Sequence, residues 1–254
     1  MKIALIQASL VWEKPEANRK YFEEKINSIT EEIDLIILPE MFTTGFSMNP
    51  KNIAETMDGG TISLLKNLAK QKNVAITGSL IIAENGKFYN RLVFVFPSGE
   101  IKKYDKRHLF SLAGEEKIYT TGTEKLIVEY KGWKICPLIC YDLRFPVFSR
   151  NVENYDLLIY VANWPKPRTN AWDTLLKARA IENMCYTIGV NRIGTDESNH
   201  EYVGHSQAVD FLGNSILEPQ KAEGISTVIL DKNQMLETRQ KFGFLNDKDS
   251  FEIT

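Results

Sequence analysis

Histidine is scarce in this chain. Its 254 residues hold three, His108, His200 and His205, at no spacing that would seat a metal ion, so a zinc site is not expected. Cysteine is equally scarce, and an odd count of three in a long chain argues against a disulfide framework and for a reducing, cytoplasmic setting. No apolar stretch approaches the roughly 18 residues needed to span a bilayer, so no membrane partner is expected. The apolar start of the chain is interrupted by Gln7 and soon meets Trp12-Glu13-Lys14, which reads as a first strand and not as a signal peptide. Neither sign of charge dominates. With a formal net charge of −2, a pI near 6.0 and scattered Lys and Arg, there is no electrostatic footprint for nucleic acid. Repeats, low-complexity tracts and linkers are missing as well, and a chain of this length can bury its core as one domain, residues 1–254.

What is present is an alternation of strand-like and helix-like segments, which predicts an α/β fold with parallel pairing and helices packed outside. Strand-like runs start near Lys2, Ile33, Asn73, Phe88, Ile101, Glu124, Trp133, Tyr155, Tyr186, Ser206 and Ser226, and helical patterns cover about residues 16–30, 61–71 and 170–184. Asn85-Gly86 and Lys131-Gly132 predict hairpin turns. In the third helix Thr169 is the expected N-cap, and Trp172, Leu175, Leu176, Ile181 and Met184 form the expected core stripe. Residues 232–254 mix charge with Met235, Leu236, Phe242, Phe244, Leu245 and Phe251. Such a tail is expected to pack on a neighbouring subunit.

One cysteine stands where chemistry is possible. Cys140 closes the apolar run Trp133-Lys134-Ile135-Cys136-Pro137-Leu138-Ile139 and opens the polar Tyr141-Asp142-Leu143-Arg144-Phe145-Pro146. Most free cysteines are inert core residues, so Cys140 needs partners. Glu40 ends the run Ile33-Asp34-Leu35-Ile36-Ile37-Leu38-Pro39, and Lys106 follows a strand leaving the Ser98-Gly99 turn. Ligands gather at the carboxyl ends of strands in open α/β sheets, so these three ends are candidates for one pocket.

Together, Leu38-Pro39-Glu40-Met41-Phe42, Tyr104-Asp105-Lys106-Arg107-His108-Leu109-Phe110 and Cys140-Tyr141-Asp142-Leu143-Arg144-Phe145-Pro146 resemble, in order and spacing, the carbon-nitrogen hydrolase (nitrilase) superfamily. The detail is most similar to the omega-amidases, which hydrolyse the terminal amide of 2-oxoglutaramate and 2-oxosuccinamate. Supporting flanks are Thr43-Thr44-Gly45-Phe46-Ser47-Met48, Ala162-Asn163-Trp164-Pro165 and Ala178-Arg179-Ala180-Ile181-Glu182-Asn183, so the resemblance runs from Met1 to about Asp231. Nitrile-cleaving members tend to carry Trp-Glu after the nucleophile, whereas Tyr141-Asp142 is similar to the amidase branch. The resemblance implies a four-layer α-β-β-α sandwich, a homodimer, and a second glutamate between lysine and cysteine. Glu115 and Glu116 both qualify; spacing to Thr121-Gly122 favours Glu115, holding Lys106 and the substrate amide nitrogen. Deaminated-glutathione amidases and N-carbamoyl amino acid hydrolases are neighbouring branches.

The chemistry also follows from residue types. A cysteine with an ordinary pKa of about 8.5 is only a few per cent thiolate at neutral pH and needs a base or a cation to attack an amide. Glu40 is typed for the base, with apolar neighbours such as Leu38, Phe42 and Phe46 expected to raise its pKa and Lys106 to lower it. Lys106 and the Tyr141 backbone N–H are typed to stabilise the oxyanion. Such a cycle needs no metal and no organic cofactor. For a small 2-oxo dicarboxylate monoamide, Arg144, Arg168 and Arg192 are candidates to hold the far carboxylate, and Phe46, Phe110, Tyr141 and Trp164 to wall the pocket. Two rivals remain: a Cys-His hydrolase using His108 or His205, and a binding protein on the same fold. Cys136, on the same side of the strand as Cys140, is expected to be buried beside Pro137, and Cys185 to be packing.

Overall fold

Val93 and Phe94 are neighbours in the chain but belong to different cores. The computed structural model describes residues 1–252. In chain order they form β1 (Lys2–Gln7), α1 (Pro15–Ser28), β2 (Leu35–Ile37), α2 (Gly60–Lys72), β3 (Ala75–Glu84), β4 (Lys87–Val95) and β5 (Ile101–Asp105). Next come β6 (Val128–Tyr130), β7 (Trp133–Ile139), α3 (Pro146–Ser149), β8 (Leu157–Ala162), α4 (Thr169–Asn183) and β9 (Tyr186–Asn191). The chain finishes with β10 (Ile193–Thr195), β11 (Glu201–Val203), β12 (Ser206–Val209), β13 (Ser215–Gln220), β14 (Gly224–Ile229) and α5 (Lys232–Phe242). One sheet has the order β14-β1-β2-β3-β4-β5 and the other β13-β12-β9-β8-β7-β6, with β10-β11 a separate ribbon.

Successive strand side chains point to opposite faces, so a strand covered on both sides reads as an unbroken apolar run. Ile3, Leu5, Leu35, Ile37, Leu92 and Phe94 turn towards the second sheet and share a core with Ile135, Leu138 and Ile159. The alternate residues Ala4, Ile6, Ile36, Val93 and Val95 turn outwards and pack under Phe22 and Ile26 of α1 and Ile62 and Leu65 of α2. Beyond the second sheet, Trp172 and Leu176 of α4 close the other side. The four layers are therefore helix, sheet, sheet, helix.

Pairing is parallel only at the centre of each sheet, β1-β2-β3 and β7-β8-β9. Parallel pairing, expected where strands alternate with helices, stops at these centres because β3, β4 and β5 are joined by direct hairpins, as are β6 and β7, with no crossover helix between them. Both predicted turns form: Asn85 and Gly86 have φ of 52° and 74°, Lys131 and Gly132 46° and 76°, the left-handed pairs that two-residue hairpins require. Strands β10, β11 and β13 and helices α3 and α5 were not anticipated. Thr169 is the first residue of α4, not its cap, and its hydroxyl donates to the Lys166 carbonyl at 2.8 Å. Ile181 is 49% exposed. It lies about 100° around the helix from Ala180, which continues the buried row Trp172 and Leu176.

The end of the chain is held to the body. Asp231 caps α5 by accepting from the N–H groups of Asn233 and Gln234, Met235 is fully buried, and Arg239 donates to the carbonyls of Met184 and Tyr155. Phe242 and Phe244 instead stack on each other at the surface, with centroids 5.2 Å apart. Among the described residues no helix is long and apolar enough to cross a membrane.

Gly189 of β9 lies directly beneath α4. A Cβ there would sit 2.5 Å from both Leu176 Cδ1 and Trp172 Cζ2, so Gly189→Ala is expected to destabilise the fold by about 1–3 kcal/mol through overpacking. Thermal denaturation checks this; an unchanged midpoint would contradict the packing described.

Candidate active site

Four strand ends converge between the sheets. After β2, Glu40 sits in a turn that packs so closely on β3 that a Cβ on Gly78 would meet Leu38 Cβ at 2.8 Å, which only glycine avoids. Following β5, Lys106 is tied by its N–H to the Asn90 carbonyl at 3.0 Å and by its carbonyl to the Gly122 N–H at 2.9 Å. Cys140 follows β7 with φ of 44°, the left-handed region that non-glycine residues enter at a cost. Asn163 follows β8. Glu115 enters from a short 3₁₀ turn, Glu115–Lys117.

The Lys106 Nζ donates to Glu40 Oε1 at 3.0 Å and to Glu115 Oε1 and Oε2 at 3.1 and 2.9 Å, and lies 5.2 Å from the Phe46 ring centroid. All three charged groups are buried. Glu40 also accepts from Asn90 Nδ2 at 2.7 Å and from the Asn163 backbone N–H at 2.8 Å. Asn163 Nδ2 donates to the Glu40 carbonyl at 2.8 Å. Glu115 accepts from the Phe110 N–H at 2.6 Å and from Asn90 Nδ2 at 3.3 Å. Beneath them the Ser79 hydroxyl donates to Asn90 Oδ1 and accepts the Met41 N–H. Glu116 is exposed.

Burial and its partners set the protonation of this group. Removal from water works against the Lys106 ammonium, but Glu115 and Glu40 outweigh it and hold the pKa above the ordinary lysine range. Burial pushes Glu115 up, and Lys106 and the Phe110 N–H counter it only in part. Burial, reinforced by Glu40, pushes the Cys140 thiol well above its usual range, with Lys106 pulling back less strongly. A protonated sulfur beside a carboxylate and a fixed cation is arranged for attack coupled to proton transfer.

Cys140 and Lys106 open on a cavity of about 390 Å³ whose walls include Phe46, Phe110, Tyr141, Arg144, Trp164 and Arg168. The Arg144 guanidinium stacks 4.9 Å from the Trp164 ring and that of Arg168 5.1 Å from the Phe110 ring. Neither makes an ion pair among the described residues. Arg192, the third candidate, does not line this cavity. It is fully buried and donates to the carbonyls of Ile193, Leu10 and Thr195, so its role is in the scaffold.

His108 and His205 do not line the cavity either. Nδ1 of His108 is 2.8 Å from Asp142 Oδ1, and Nδ1 of His205 is 2.9 Å from Asp173 Oδ2, which removes both histidines expected as partners in the Cys-His reading. Cys136 and Cys185 are buried elsewhere. Among the described residues no group of three or more His, Cys, Asp or Glu side chains could hold a metal ion.

Sequence reasoning missed several residues here. Asn90 carried a weak signal, an uncharged amide in the middle of a strand, and Asn163 another, its place at a strand end. Trp12, Met48, Asp196, Ser198, His200 and Tyr202 also line the cavity, but they arrive from loops and, for Tyr202, from the short strand β11, whose course no local pattern reveals.

Comparisons with known proteins show what the chain is similar to. The sequence profile of the carbon-nitrogen hydrolase family matches residues 2–240. The chain is 43% identical to omega-amidase YafV of Yersinia enterocolitica over 99% of its own length and 98% of the relative. It is 34% identical to 2-oxoglutaramate amidase of Bacillus subtilis (strain 168), covering 96% of each. The crystal structure of XC1258 from Xanthomonas campestris, a CN-hydrolase superfamily protein with an arsenic adduct in the active site, superposes with a TM-score of 0.97 at 42% identity. That alignment covers 100% of this chain and 99% of the other.

Because the thiol pKa is raised, the neutral form dominates at neutral pH and the thiolate appears only in alkali. The ultraviolet thiolate absorbance of the native chain minus that of Cys140→Ala is therefore expected to stay flat from about pH 6 to about pH 9. A step at or below the ordinary thiol value would overturn the assigned electrostatics.

Proposed function

Because the chain belongs to the carbon-nitrogen hydrolase family and is a hydrolase of amide carbon–nitrogen bonds, we propose that it is an omega-amidase that releases ammonia from 2-oxoglutaramate and 2-oxosuccinamate. In this reading Cys140 is the nucleophile and Glu40 its base. As Sγ bonds to the amide carbon, the thiol proton moves to Glu40 and the carbonyl oxygen becomes an oxyanion. Lys106 Nζ and the Tyr141 N–H stabilise it; the latter lies in the first turn of a 3₁₀ helix, Cys140–Arg144, where no carbonyl of that helix reaches it. A single donor of this kind is typically worth about 3 kcal/mol of the barrier. The carbon–nitrogen bond then breaks, ammonia leaves with the proton from Glu40, and a thioester remains. Glu40 takes a proton from water, whose oxygen attacks the thioester; the carbon–sulfur bond breaks, Glu40 returns the proton to sulfur, and the carboxylic acid is released with the thiol restored. Glu115 holds the Lys106 ammonium in place and orients the substrate nitrogen.

The observation that carries the substrate reading is the pair of guanidinium groups, Arg144 and Arg168, in the wall of the cavity that holds the thiol. A cation on an aromatic face, without a carboxylate partner, is suited to a small anion that arrives with the substrate. Arg144 is assigned the far carboxylate of the 2-oxo acid, with Arg168 beside it, and Phe46, Phe110, Tyr141 and Trp164 enclose the chain between. The names of the relatives, omega-amidase and 2-oxoglutaramate amidase, support the same substrate class. A homodimer that covers the exposed Phe242 and Phe244 belongs to this proposal; sedimentation as a monomer at micromolar concentration would remove it.

Ammonia release from a panel of small amides tests the reading. Cys140→Ala is expected to lose at least about 10³-fold in kcat on 2-oxoglutaramate, as removal of a covalent nucleophile does. Loss of a hydrogen-bonded charge pair is worth about 1.5–3 kcal/mol, so Arg144→Met should raise KM for that substrate about tenfold or more and leave an uncharged amide little affected. Faster cleavage of a carbamoyl amino acid or of deaminated glutathione than of either 2-oxo acid would move the chain to a neighbouring branch.

A further inference from the structure

Lys106 follows a strand of the first sheet and Cys140 a strand of the second, and the faces between these sheets are held by apolar packing. Apolar burial is strong but non-directional, and by itself it leaves two sheets free to slide by fractions of an ångström. A reaction that needs a sulfur and an ammonium in register tolerates no such slide. Some directional tie must cross between the two strand ends.

The Asp142 carboxylate makes that tie. It is fully buried, and each oxygen accepts two hydrogen bonds. Oδ2 accepts from the Ile139 N–H at 3.0 Å and the Tyr104 hydroxyl at 2.7 Å. Oδ1 accepts from the His108 backbone N–H at 3.0 Å and lies 2.8 Å from His108 Nδ1, which donates as the remaining partner. These contacts bracket both reacting groups. Ile139 and Asp142 flank Cys140 in the chain, while Tyr104 and His108 flank Lys106. The Tyr104 hydroxyl also accepts the Arg107 N–H at 3.1 Å, and the His108 ring stacks on Phe145, 3.7 Å away and nearly parallel. The left-handed backbone at Cys140 is pinned by the same carboxylate, which reaches back across it to Ile139.

We propose that Asp142 is a positioning residue for amide hydrolysis, a carboxylate that locks the lysine loop of one sheet to the cysteine turn of the other so that Lys106 and Cys140 move as one body. Tyr104 and His108 are its arms, and His108 serves here as a hydrogen-bond donor and not as a base. Charge-assisted hydrogen bonds are roughly twice as strong as neutral ones, which suits a brace of few atoms across a sheet interface. The inference rests on the assignment of Cys140 and Lys106 to the reaction.

Asp142→Asn and Tyr104→Phe test it, with circular dichroism and a thermal midpoint to establish the fold and Cys140→Ala assayed alongside. Asparagine turns two of the four acceptor positions into donors facing donors, and phenylalanine removes one arm and leaves the rest. Misplacement by about 1 Å costs on the order of 10²-fold, so Asp142→Asn should lose about that factor in kcat with KM within about threefold. Tyr104→Phe should lose about tenfold, and the double variant no more than Asp142→Asn alone. Alkylation of Cys140 by iodoacetamide should slow in the same order, a readout that a purely structural role would not move. Either folded variant with native kcat and alkylation rate overturns the proposal, as does a loss seen mainly in KM. If Asp142→Asn does not fold, Tyr104→Phe decides alone. Retained activity in Cys140→Ala would instead sink the underlying assignment, so the two failures are distinguishable.

Discussion

A buried ammonium between two buried carboxylates is the interaction on which the rest of this structure depends. Three charges removed from water are unfavourable unless each finds partners in good geometry, and removal of one partner from such a group typically costs about 3–5 kcal/mol. Here Lys106 reaches both Glu40 and Glu115, and Asn90 donates to the same two carboxylates. The group is therefore a constraint on three separate segments, the turn after β2, the loop after β5 and the 3₁₀ turn at Glu115. It also leaves one excess negative charge beside the thiol when both carboxylates are ionised. That excess and burial keep the sulfur protonated, which makes a neighbouring base part of the chemistry.

The two sheets divide the labour. The first supplies base and cation, the second the thiol and the Asn163 N–H that orients Glu40. Strand ends deliver these groups because a charge along a strand buried on both faces must be paired there, as Arg91 is with Glu84 and Asp105, whereas the turn beyond the strand lets a reactive side chain face a cavity. The polar ties between the sheets, Asn163 to Glu40 and Asp142 to Tyr104 and His108, lie at this same end. Packing brings the layers together, and hydrogen bonds fix their register.

Around the thiol the cavity combines aromatic walls with guanidinium groups lying on them. Rings of Trp164 and Phe110 support Arg144 and Arg168 without neutralising them, which preserves the positive potential for an incoming anion. Arg192 shows the contrast: its Nε and Nη2 donate to backbone carbonyls, and burial lowers its pKa.

Much of this was legible in the chain. Alternating apolar runs marked most strands and three of the helices, the left-handed hairpin pairs were readable from Asn85-Gly86 and Lys131-Gly132, and Glu40, Lys106 and Cys140 could each be placed after a strand, although only their three motifs together marked them as one site. Those are local properties, set by periodicity and backbone preference over a few residues. What only the tertiary structure decided are matters of distance between segments far apart in sequence. It set Glu115, favoured by spacing over Glu116, against Lys106, left Arg192 outside the cavity, turned His108 towards Asp142, and gave Asn90 and Asn163 to the carboxylates. A sequence states which side chains a segment carries and which face they share. Which of two adjacent charges is buried depends on packing across two sheets, and that is a property of the fold as a whole.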